Sequence, residues 1–111
     1  MNGMFQGASA FNQDIGAWDT SGVTEFESMF MYASAFNQDI GGWAVESDRV
    51  KWMNFMFYKA SAFDQDLGWC LDRDTRTLRM FEGAACALRD PFHKCNVRVR
   101  VPGAFGECAL V

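Results

Sequence analysis

The first 69 residues contain no cysteine, the first 48 contain no lysine or arginine, and the whole chain of 111 residues holds one histidine and two prolines. Each scarcity excludes something. Residues 1–48 carry seven acidic side chains and no basic one, so that half repels phosphate, and nucleic-acid binding is not expected. No run approaches the ~20 apolar residues of a transmembrane helix. The start, Met1-Asn2-Gly3-Met4-Phe5, has neither the basic region nor the apolar stretch of a signal peptide. With two prolines there is no linker-like segment, and the length fits one domain or a piece of one.

What is abundant is apolar and repeated. Half of the residues are hydrophobic and eleven are Phe. Residues 29–40 read MFMYASAFNQDI; residues 4–15 read MFQGASAFNQDI and residues 56–67 read MFYKASAFDQDL. The Met-Phe pairs are spaced by 25 and then 27 residues, and a worn fourth copy, MFEGAACAL, opens 24 residues later at Met80. Such a period predicts a stacked repeat, because one unit cannot bury its apolar face alone. Met1 stands where Phe26 and Met53 stand in later copies, so the chain is expected to begin inside a repeat, with further copies upstream.

Each copy splits into two local patterns. Val23, Phe26, Met29, Phe30 and Ala33 fall at offsets 0, 3, 6, 7 and 10, a helical stripe that Val50, Met53, Met56, Phe57 and Ala60 repeat. Asp19, Thr20, Ser21, Ser47 and Asp48 precede these stripes as candidate caps. The second pattern alternates. Phe11, Gln13 and Ile15 share one face and Asn12 and Asp14 the other, which predicts short strands at 11–15, 36–40 and 63–67. Gly16, Gly41 and Gly68 end them, and Trp18, Trp43 and Trp69 follow. The expected fold class is an α/β repeat: a short right-handed leucine-rich-repeat-like solenoid of about three coils, with parallel strands and a C-terminal cap. The expected core is Phe5, Phe11, Ile15, Trp18, Val23, Phe26, Met29, Phe30, Phe36, Ile40, Trp43, Val50, Met53, Met56, Phe57, Phe63 and Leu67. An insertion in residues 44–49 is expected to map to a surface loop.

Repeats occupy 1–69, a cysteine-containing cap 70–96 and a tail 97–111, in which 97–101 alternates like an edge strand and 102–111 reads as loose. All four cysteines lie beyond the repeats, where DRDTRTLR replaces the apolar stripe. At least one disulfide is expected between two of Cys70, Cys86 and Cys95, with Cys108 left free, since a cross-link compensates for few apolar side chains. Four cysteines allow three connectivities. Zinc on Cys70, Cys86, His93 and Cys95 would lack the paired C-x2-C spacing, and a thiol nucleophile would lack an orienting partner.

The phrase MFxxASAFNQDIGxW followed by DTSxVTxFxxMF resembles the BspA-like leucine-rich-repeat surface proteins and the repeat they share with mycoplasma-type lipoproteins and algal and oomycete proteins. The match covers about residues 1–69, and Trp69-Cys70 with Phe81, Cys86 and Cys95 resembles the algal ending. The resemblance implies a solenoid at a cell surface or outside the cell, no enzymatic activity, no cofactor, and in bacterial members adhesion to host or matrix proteins.

Two sets of side chains are candidates for function. Asn12 and Asp14, Asn37 and Asp39, and Asp64 and Asp66 offer a ladder of oxygens, with Asp14, Asp39 and Asp66 as candidate ligands for calcium. The competing reading is a solvated face, or side chains bonding backbone in the next copy; the ligand density of a calcium loop is absent. Gln13, Gln38 and Gln65 would form an inward amide ladder between copies. Trp52 and Phe55 of the third copy lie off the stripe, either as a partner site or as anchors for the cap or tail. The expected function is non-catalytic contact with an unidentified protein or surface ligand; the alternative is a structural or cation-binding extracellular repeat.

Overall fold

The structure is a computed structural model that describes residues 1–89, 94–100 and 108–109. The core forms because matched apolar positions of successive copies stack ring on ring. Phe5, Phe30, Phe57 and Phe81 make one row, with centroids 5.6, 5.4 and 5.3 Å apart and planes within 9°. Phe11, Phe36 and Phe63 make a second row at 5.8 and 5.9 Å. Within each copy the two rows touch at 4.1–4.2 Å. Offset-parallel rings at these separations gain attraction beyond the area they bury.

The backbone that carries the first row is not helical. Residues 26–33 form successive turns, with Met29, Met31 and Ala33 donating to the carbonyls of Phe26, Ser28 and Phe30. The alternate amides of Phe26, Ser28, Phe30 and Tyr32 donate to Trp52, Asn54, Met56 and Tyr58 of the next copy, at 2.8–3.0 Å. Gly3, Phe5 and Gly7 do the same toward Glu27, Met29 and Met31, and Met53, Phe55, Phe57 and Lys59 toward Arg76, Leu78, Met80 and Glu82. A helix would spend these donors on carbonyls four residues back in its own segment. Left-handed residues prevent that: Ser28 (φ 54°) and Tyr32 (φ 62°), Phe55 (φ 59°) and Lys59 (φ 54°) recur at the places that Gly3 and Gly7 hold in the first copy. The expected helices over the stripes are therefore replaced by ribbons of turns. Both geometries bury Phe26, Met29, Phe30 and Ala33, so the apolar spacing does not distinguish them.

Nor are 11–15, 36–40 and 63–67 strands with a backbone ladder. They run extended, and side-chain amides stand in the place of the ladder. Asn12 Oδ1 accepts the Asn37 amide at 2.8 Å and the Gln38 side chain at 3.1 Å; Asn37 Oδ1 accepts the Asp64 amide at 2.9 Å and the Gln65 side chain at 2.8 Å. Trp43 and Trp69 donate their ring N–H to the carbonyls of Ile15 and Gly41, tying each turn to the copy before it.

Close approach at Gly41 yields a sharp contrast. A Cβ there would lie 2.8 Å from the Leu67 carbonyl oxygen and 3.0 Å from Asp39 Oδ1, whereas one at Gly42 meets nothing within 4 Å. Gly41→Ala is expected to cost about 2–3 kcal/mol and Gly42→Ala less than about 0.5, read as urea midpoints at constant slope.

The expected core is buried except at one end. Phe5, Phe11 and Val23 are half-buried, and Trp18 is 39% exposed because it sits on the outermost of the copies, with Phe5 as its ring neighbour. Val45, Trp69, Leu71, Met80, Phe81, Ala84, Cys86 and Cys95 are further core members. Val45 turns inward from the 44–49 insertion, while Ala44 and Glu46 remain exposed.

After the repeats come β1 (Cys70–Leu71), α1 (Ala85–Arg89), a 3-10 turn (Lys94–Asn96), β2 (Arg98–Arg100) and β3 (Cys108–Ala109). Strand β2 is central rather than an edge, parallel to β1 and antiparallel to β3. Leu67 and Gly68 donate to Cys95 and Asn96, so the cap runs along the last copy where another copy would otherwise bond. Residues 76–82 accept from the third copy as a fourth turn ribbon, so DRDTRTLR continues the backbone pattern after losing its apolar stripe.

Candidate interaction surface

The cysteines fix the end of the stack. Cys86 is bonded to Cys95 and Cys70 to Cys108, with Cα atoms 4.9 and 5.7 Å apart. The expected bridge among Cys70, Cys86 and Cys95 is present. The expected free Cys108 is corrected: the antiparallel pairing of β3 with β2, itself parallel to β1, sets it beside Cys70, while the expectation of a loose tail falls mostly on 102–107 and 110–111, outside the described residues. All four sulfurs being paired, none of these cysteines is a thiolate ligand or nucleophile in this state. His93, the fourth member of the zinc set, lies outside the described residues, as do residues 101–107.

On the edge of the extended segments, one side-chain oxygen of each of Asn12, Asp14, Asn37 and Asp39 already has a protein donor. Asn12 and Asn37 accept amides one copy on, and Asp14 Oδ1 and Asp39 Oδ1 accept the amides of Gly16 and Gly41 at 3.0 and 2.8 Å. Asp64 and Asp66 are exposed. Among the described residues no three His, Cys, Asp or Glu side chains come close enough together to hold a metal ion. Gln38 and Gln65 bond the preceding copy, but through Asn12 and Asn37 and not as a ladder of Gln on Gln, and they are half-buried while Gln13 is exposed. Asp19 accepts the hydroxyl and then the amide of Ser21, and these bonds hold its carboxyl below the usual carboxylate value.

The turn ribbons present the other surface. Parallel bridges set Glu25, Trp52 and Arg76 in one row across three copies. The Arg76 guanidinium lies 5.3 Å from the centre of the Trp52 ring, a cation–π contact. Trp52 is 39% exposed, Tyr32 45% and Leu78 59%. Phe55 is half-buried, edge-on to Tyr58 at 5.5 Å, and Tyr58 meets Tyr32 at 5.6 Å. Trp52 is half-covered by Arg76 of the cap segment and otherwise exposed, and Phe55 lies edge-on to Tyr58, so contact with the cap and an open surface are both present at Trp52. Tyr32 and Leu78 join them without having been singled out from the sequence. Their signal was positional: they share repeat positions with Lys59 and with Asn2, Glu27 and Asn54.

That last position contains a flaw. Asn2 Oδ1 accepts the Glu27 amide at 2.9 Å, and Asn54 Oδ1 accepts the Leu78 amide at 2.7 Å. Glu27, standing where Asn would bond the next copy, has a buried Oε1 without a partner. Glu27→Asn is expected to raise stability by about 1 kcal/mol, seen as a melting temperature several degrees higher.

Over residues 1–93 the chain matches the model of DUF285, described as a Mycoplasma protein of unknown function. The chain belongs to the DUF285 family. No curated protein and no solved structure matches it. In this DUF285 chain no helix among the described residues is long and apolar enough to cross a membrane.

Proposed function

We propose that this DUF285 chain is a BspA-like, leucine-rich-repeat-like solenoid module, non-catalytic and extracellular or cell-surface, whose turn face makes protein contacts in the manner of an adhesin fragment. The observation that carries the reading is the division of labour between its two faces. On the other edge, Asn12 and Asn37 spend side-chain oxygens on backbone amides of the next copy, and Asp14 and Asp39 on the glycine amides of their own turns. The turn ribbons leave Trp52 exposed beside Arg76, with Tyr32 and Leu78 exposed as well. Aromatic and arginine side chains of this kind dominate contact energies at protein interfaces. The two disulfides support an oxidising compartment.

Binding of labelled chain to immobilised extracellular-matrix and cell-surface proteins tests it. A saturable signal that falls at least about tenfold in Trp52→Ala is expected, the effect of losing one interface anchor. No binding at all, or binding indifferent to Trp52 and Tyr32, contradicts it. The calcium reading, with Asp39 as a ligand, is separated by calorimetry: a stoichiometric heat that Asp39→Asn abolishes would replace the contact reading.

A further inference from the structure

The turn face is charged in an ordered way along the stack. Glu25, in the second copy, stands at one end of the bridged row, Trp52 in the middle and Arg76, in the fourth, at the other end. Of the neighbouring positions, Glu27, Asn54 and Leu78 run from acidic to neutral, and Ser28, Phe55 and Arg79 from neutral to basic. Neither Arg76 nor Arg79 has an ion pair among the described residues, where the recorded pair is Arg73 with Asp74. An acidic end, an aromatic middle and a basic end make a surface complementary to its own reverse.

We propose that the partner of this face is a second copy of the chain. A two-fold axis lying in the interface, along the third copy and through Trp52, reverses the order of the copies. Glu25 of one protomer then meets Arg76 of its partner, twice by symmetry, and Trp52 meets Trp52. Arg79 falls opposite Ser28 and beside Glu27. This is the isologous arrangement of a closed dimer, in which one patch serves both subunits. Opposite charges at the two ends of the bridged row set the register, and like charges there oppose parallel docking. The proposal rests on the reading of the turn face as a contact surface and names its occupant.

Sedimentation of the oxidised full chain tests it. The wild type is expected to pass from 12.5 kDa to twice that mass with a Kd on the order of 10–100 μM, weakening about tenfold in high salt. Glu25→Arg and Arg76→Glu, each alone, set like charges opposite each other and are expected to remain monomeric. Mixed in equal amounts they are expected to form a heterodimer. Positions 25 and 76 of the first variant are then both basic and face positions 76 and 25 of the second, which are both acidic. Recovery in the mixture also shows that both variants fold. If either fails to fold, Glu25→Gln and Arg76→Gln replace them, each expected to weaken the dimer at least about fivefold. A monomeric wild type throughout, a dimer indifferent to salt, or a mixture that stays monomeric with both variants folded overturns the proposal. A monomer that still binds immobilised proteins through Trp52 overturns the dimer alone; a monomer that binds nothing overturns the contact reading as well.

Discussion

Phe57→Ala is expected to lower the stability of the chain by about 4 kcal/mol, with a fall in melting temperature of more than about 10 °C. The ring is fully buried and stacks on Phe30 at 5.4 Å, Phe63 at 4.2 Å and Phe81 at 5.3 Å, with Trp69 at 6.4 Å. Removing it opens a cavity between three copies whose backbones are tied to one another and cannot collapse independently. Phe5→Ala, at the half-buried end of the same row, is expected to cost less than half as much. Equal losses at the two positions, measured by urea titration with Trp fluorescence, would show that the rows do not bind the copies together.

Loss of the Cys70–Cys108 bridge is expected to cost about 4 kcal/mol, and loss of Cys86–Cys95 about 2.5, on the chain-entropy estimate for sequence separations of 38 and 9. The larger loop removes more freedom from the unfolded chain, and its cross-link also holds β1 against the hairpin of β2 and β3. Paired Cys→Ser variants measure both. Peptide mapping without reductant is expected to give these two pairings, and a Cys70–Cys86 or Cys70–Cys95 peptide in their place contradicts the arrangement of the cap.

The repeat was legible in the sequence because identity at Met4, Met29 and Met56 and at Phe11, Phe36 and Phe63 requires no knowledge of geometry. The core followed from it, since matched apolar positions stack whatever the local backbone does. The local backbone was not legible from periodicity. Phe26, Met29, Phe30 and Ala33 satisfy a helical stripe and a ribbon of turns alike. The distinguishing mark was the recurrence of Gly3, Gly7 and Gly83 at the positions of Ser28, Tyr32 and Lys59, since glycine takes a left-handed conformation without strain. Alternation at 11–15 likewise signals an extended segment without saying whether backbone or side-chain amides join it to the next.

The face proposed for contact was half legible. Trp52 and Phe55 stood off the stripe, but Arg76 and Leu78 belong to a segment that had lost its apolar pattern. Only the bridges from Glu25 to Trp52 to Arg76 show that it continues the same face. Side chains bonding the backbone of the next copy were one of the readings open for the Asn and Asp edge; that Asn12 and Asn37 do so, and not Asp14 or Asp39, depends on a spacing between copies that only the fold sets. Cys108 escaped because its partner is 38 residues away in sequence and meets it only through the pairing of β3 with β2 and of β2 with β1.

The account rests on copies joined amide to carbonyl, since that junction aligns Glu25, Trp52 and Arg76 on one face. NMR scalar coupling through hydrogen bonds measures it directly. The expected couplings run from the amides of Phe26, Ser28, Phe30 and Tyr32 to the carbonyls of Trp52, Asn54, Met56 and Tyr58. Couplings from Phe30 to Phe26 and from Ala33 to Met29, the pattern of a helix, would contradict it.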